Sequence, residues 1–126
     1  MSNELNNFWP NIGVENIVTP VTLLRIAASQ LGEKTQQLIT ADIVTTISLR
    51  KFDHEFAIVV PSLDHYRYSL FRIRHAIDSF YPIEAFLSGG TAQLSTEADF
   101  RAWLVRVLAG PDTTKLINTI LTQIQS

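Results

Sequence analysis

The order of hydrophobic periods predicts an α+β fold: an N-terminal helix, a four-stranded antiparallel meander, and two C-terminal helices packed on one sheet face. Two observations carry that prediction. Apolar residues recur at helical spacing near both ends of the chain, and between Leu38 and Leu87 the period falls to two, with short polar breaks. Strands joined by short connections pair most economically as an antiparallel meander. Helices with apolar stripes must then cover a sheet face.

The first helix is expected over 20–31. Thr19 is placed to cap it and Pro20 suits its first position, where the missing N–H has no partner to lose. Val21, Leu24, Ala28 and Leu31 form its stripe, widened by Leu23, Ile26 and Ala27. Gly32 reads as a left-handed stop.

Ile43, Thr45, Ile47 and Leu49 alternate with Val44, Thr46, Ser48 and Arg50, a β-branched first strand. Lys51 to His54 reads as a polar break. Phe56 to Val60 is a short apolar run that fits a central strand, ended by Pro61. Tyr66 to His75 is the third strand. Its parity shifts after Leu70, which suggests a bulge or two ends facing different neighbours. Tyr81 to Leu87 is the fourth, with Pro82 placing it at an edge. Ser88 to Leu94 reads as a glycine-containing loop.

Thr96 and Asp99 resemble a capping box that opens a helix over 97–109. Phe100, Trp103, Leu104, Val107 and Leu108 make its apolar face, so Trp103 is expected in the core. Gly110 and Pro111 end it. Asp112 is expected to cap a last helix over 113–124, with Leu116, Ile117, Ile120, Leu121 and Ile124 as its stripe.

The 126 residues suit one domain, read as an arm over 1–18 and a single α+β domain over 19–126. Phe8, Trp9, Pro10 and Ile12 are unusual in a loose terminus and point to an arm that docks on its own domain or on a neighbour. There is no cysteine, which removes disulfides, thiolate metal sites and a cysteine nucleophile. The first eighteen residues lack a signal peptide's basic start and apolar stretch, and no long apolar run exists. The expectation is a cytoplasmic protein without a membrane partner.

Net charge is −2, but residues 50–75 carry net +2 and all three histidines. His54 and His75 are expected at one end of the sheet and His65 at the other. A site of two histidines and Asp53 is conceivable, against the plainer reading of solvated turn histidines. Tyr66, Tyr68, Arg72 and Arg74 on the third strand are the candidate binding residues. Interleaved Tyr and Arg can anchor a protein interface or stack on bases and neutralise phosphates. They can also be ordinary sheet residues, the arginines pairing with Glu55, Glu84 or Asp78. The acidic total makes nucleic acid the less favoured partner.

No phosphate loop, nucleophile elbow or zinc-protease helix occurs. No catalytic residue, metal ligand or cofactor is therefore assigned, and the chain is not expected to be an enzyme. At Leu31-Gly32-Glu33-Lys34-Thr35, Tyr66-Arg67-Tyr68-Ser69-Leu70-Phe71 and Thr114-Lys115-Leu116-Ile117 the sequence resembles small uncharacterised bacterial cytosolic proteins of similar length. That resemblance implies a stand-alone cytosolic α+β protein and brings no activity with it. The leading expectation is a non-enzymatic protein-binding or assembly module, homo-oligomeric through the uncovered sheet face. The alternative is a small-ligand or nucleic-acid binder using the third strand.

Overall fold

A computed structural model describes residues 8–126; the first seven residues of the arm lie outside the described residues. The elements run α1 (Pro20–Lys34), β1 (Thr40–Ser48), β2 (Lys51–Val60), a 3₁₀ turn (Pro61–Leu63), β3 (Tyr66–Ala76), β4 (Ile83–Leu87), β5 (Gly90–Leu94), α2 (Glu97–Leu108) and α3 (Pro111–Gln125). The fold is α+β as expected, but the antiparallel meander has five strands, in the order β1-β2-β3-β4-β5.

The fifth strand replaces the expected loop over 88–94. Gly89, at φ 97°, lets the chain turn so that Leu87 pairs with Gly90 and Ile83 with Leu94. The segment Gly90 to Leu94 has weak strand propensity, so pairing with β4 and burial of Leu94 decide its state. β4 therefore lies inside the sheet, and Pro82 precedes it instead of marking an edge.

The break expected at Lys51 to His54 is the start of β2. Its residues alternate: Asp53 and Glu55 face one side, Phe52 and His54 the other. The turn falls at Leu49 and Arg50, both with positive φ (52° and 63°). This is the geometry of a two-residue hairpin of the primed type.

Thr19 caps α1, accepting the Thr22 N–H at 3.3 Å, and Thr96 caps α2, accepting the Asp99 N–H at 3.1 Å. Gly32 lies within α1 and does not stop it; Gln36 and Gln37 take the left-handed conformation. A Cβ at Gly32 would meet Gln37 Oε1 at 2.8 Å, the end of a flexible exposed side chain that can swing aside. Buried Thr35 ends the helix, its hydroxyl accepting the Ile39 N–H at 3.1 Å. α3 starts from Gly110 without a side-chain cap, and Asp112 sits in its first turn.

All three helices lie on one sheet face. α1 packs on β1, while α2 touches α1, α3 and β5. Between helices and sheet lie Leu24, Ile39, Phe56, Ile58, Ile73, Ile83 and Phe100, all essentially inaccessible. Trp103 is buried as expected and meets the Phe71 ring edge-on at 5.0 Å. Among the described residues no helix is long and apolar enough to cross a membrane.

Candidate functional site

Pairing register decides which surfaces exist. β2 and β3 align Phe56 with Phe71 and then Ala57 with Ser69, so Leu70 is an extra residue bulged out of the ladder. The bulge inferred from the parity shift is present, but it divides the four candidate residues. Tyr66 and Tyr68 oppose Val60 and Ile58 on the helix-covered face, where Tyr68 remains 39% exposed. Arg72 and Arg74 oppose Glu55 and Asp53 on the uncovered face. They do not form one Tyr/Arg surface.

The uncovered face carries charges that answer one another. Asp53 is buried beneath Arg72 at 3.1 Å and Arg74 at 3.0 Å. Arg74 also lies over the Phe86 ring, 5.1 Å from its centroid. Arg67 joins Asp42 at 3.0 Å and Glu55 at 2.8 Å. Lys51 meets Glu84 at 2.7 Å. The hydrogen bond from Arg67 holds the Glu55 carboxyl below its ordinary range, and Lys51 does the same for Glu84. Val44 and Val59 belong to this face; Tyr66 and Tyr68 do not. The face is a solvated ion-pair ladder, not an apolar patch.

At the hairpin end of the covered face, His54 and His75 meet, Nε2 to Nε2, at 3.2 Å. Both are buried, so neither is a solvated turn histidine. Phe52 stacks on His54 with ring centroids 5.8 Å apart. Asp53, one residue on, points through the sheet to the other side, and His65 sits exposed in the opposite turn. Among the described residues no group of three His, Cys, Asp or Glu could hold a metal ion.

The site that the residue-by-residue reading missed is a groove on the helix side. α1 covers the β1 side of the sheet and α2 the β5 side. Between them is a cavity of about 510 Å³, floored by Phe56, Ile58 and bulged Leu70. Leu23, Ala27 and Leu31 of α1 form one wall; Leu104 and Leu108 of α2, with Ile117 of α3, form the other. Its lips are apolar as well: Ile26 is 46% and Val105 66% exposed. The charged residues that line it are both basic, Lys34 and Arg101. One signal was legible. The apolar band of α1 is wider than a single stripe needs, and Ile26 is one of the three residues that widen it. Val105 lies outside the α2 stripe and carries no such mark.

Compared with protein-family models, with curated proteins and with solved structures, the chain gives no significant match.

Proposed function

We propose that the chain is a non-enzymatic protein-binding module that takes an extended apolar peptide in the groove between α1 and α2. The observation that carries this reading is the pair of exposed lips, Ile26 and Val105, over an already apolar floor. Water against such walls is displaced favourably, at about 25 cal/mol per Å² of apolar surface covered. The lining supports recognition by shape and apolar contact, because it brings no nucleophile and base together; its polar groups are the rim side chains Gln30, Lys34 and Arg101 and the hydroxyl of Thr113. The ion-paired face favours a partner less, since its charges would have to leave water with little to gain.

An array of synthetic peptides, each about eleven residues long with alternate apolar side chains and one acidic residue, tests the reading. Protein in which the exposed arm residues Ile12 and Val14 are changed to Asp, so that the chain's own apolar arm does not compete, binds a subset of the array. Val105→Glu, a change on an exposed helix position, abolishes that binding, and Ile26→Asp does the same from the opposite lip. No bound peptide, or binding indifferent to both variants, overturns the proposal.

A further inference from the structure

We infer that the groove is filled by residues 8–18 of a second copy of this chain, each copy lending its arm to the other. The inference rests on the groove being a peptide site and names its occupant.

Residues 8–18 of the arm are solvent-exposed. Phe8 is 91% and Val14 101% exposed, and Ile12, Ile17 and Val18 are also accessible. Pro10 and Gly13 disfavour a helix, so the segment presents itself extended. In that form Phe8, Pro10, Ile12 and Val14 fall on one side, and Trp9, Asn11, Gly13 and Glu15 on the other. The first side is apolar throughout and inserts, while the second, polar after Trp9, stays at the rim.

Length and charge agree. Phe8 to Val14 spans roughly 20 Å at about 3.3 Å per residue. The α1 wall from Leu23 to Lys34 runs roughly 17 Å at about 1.5 Å per residue. Glu15 is the single charge between Phe8 and Thr19, and it is acidic where the groove's charges are basic. Arg101 already meets Glu97 at 2.8 Å, but Lys34 has no ion pair among the described residues. Lys34 is thus the cation that Glu15 complements.

Reciprocal exchange also supplies enough contact. At about 30–40 Å² per interface residue, two arms and two grooves cover on the order of 1,500 Å², the size of a standard stable interface. An exchange closed by two-fold symmetry uses the same arm-to-groove contact twice, so no open chain of subunits results.

Sedimentation velocity of the full chain tests this. Wild type runs at twice the 14.2 kDa chain mass. Ile12→Asp with Val14→Asp, changes in the exposed arm, weakens the dimer at least tenfold, and so does Val105→Glu in the groove. Mixing the arm variant with the groove variant restores a heterodimer, because one intact arm then meets one intact groove. Glu15→Lys weakens the dimer, and Lys34→Glu added to it restores affinity. A monomeric wild type, or a dimer unmoved by the arm variant, overturns the exchange. If Val105→Glu still abolishes peptide binding on the array, the groove reading survives that failure.

Discussion

His54 Nε2 lies 3.2 Å from His75 Nε2, and the partners around them allow one arrangement of protons in the neutral pair. His75 Nδ1 faces two carbonyl oxygens, Ala76 at 2.9 Å and Ser79 at 3.1 Å, so it carries the hydrogen and donates. His75 Nε2 is then an acceptor, and His54 Nε2–H donates to it. His54 Nδ1 is left to accept from the Thr45 hydroxyl at 2.8 Å. The chain from Thr45 through both rings to the β3–β4 connection is fully satisfied with no charge on it.

Burial, followed by the neighbouring His75, lowers the His54 pKa from 6.5 to about 4, with Asp53 opposing and Arg25 assisting. The sign of the pH dependence follows. Above pH 6.5 His54 is neutral in both folded and unfolded chains, and its contribution is complete. Between pH 6.5 and about 4 the unfolded chain takes up a proton that the folded chain refuses, so stability falls as pH falls. The loss reaches at most about 3 kcal/mol near pH 4, from about 1.4 kcal/mol per pKa unit. Because the Thr45 hydroxyl can accept as well as donate, the penalty is that of a buried charge and not of a broken hydrogen bond. Urea denaturation from pH 7.5 to 4.5 shows the decline, and His54→Gln flattens it. An equal slope in both proteins would remove the histidine from the explanation.

Asp53 holds the uncovered face together. Its carboxylate is buried and accepts from Arg72 and from Arg74. Asp53→Ala leaves both guanidiniums without that partner, but they are half-exposed and rehydrate in place. The cost is therefore that of charge-assisted hydrogen bonds, about 2–3 kcal/mol, and not the larger penalty of a stranded buried charge. Denaturant midpoints of Asp53→Ala and Asp53→Asn measure it, with Asn losing less than Ala because its amide oxygen still accepts. A change under half a kcal/mol would show that the ladder is ornamental to stability.

Trp103 closes the core above Phe71 and is almost wholly buried. Trp103→Ala removes a large ring from beneath helix and sheet and costs about 3–5 kcal/mol, while Trp103→Phe keeps most of the volume and costs less. Equilibrium denaturation of both variants checks the ordering. Equal, small losses would mean that the ring contributes little packing.

Much of this fold is legible in periodicity because burial imposes it. The α2 stripe from Phe100 to Leu108 reports one covered side; in β1 the alternation is half-buried only at Ala41 and Ile43, and Ile47 at its far end is exposed. The reading fails where pairing outweighs local preference. Gly90 to Leu94 becomes a strand because β4 offers an edge. Lys51 to His54 stays in β2 because alternation disposes its polar residues on two faces. The four Tyr and Arg candidates separate because one bulged residue, Leu70, inverts parity between Ser69 and Phe71. The parity shift itself is written in the sequence; which half faces the helices is decided by the register with β2. The groove is harder still, since it depends on how far apart α1 and α2 settle, a distance that no local pattern encodes.

The β1–β2 hairpin turns on two residues poorly suited to it. Leu49 and Arg50 both have left-handed φ, a conformation that costs an L-residue with a full side chain roughly 1 kcal/mol compared with Gly or Asn. Leu49 is also 90% exposed, so no packing offsets the strain. The long pairing on either side, from Thr40 opposite Val59 to Ser48 opposite Lys51, holds the turn in place. Leu49→Asn with Arg50→Gly supplies the residues that this turn type favours. Removing an exposed apolar side chain takes nothing from the core. The Arg50 carbonyl accepts the Ile77 N–H at 3.3 Å, and that backbone bond survives the change to glycine. The double variant is expected to be more stable by about 1–2 kcal/mol, which for a domain of this size raises Tm by several degrees. Differential scanning calorimetry reads the shift. A fall in Tm would mean that Leu49 makes a stabilising contact worth more than the strain it bears, and would turn attention to what that contact is.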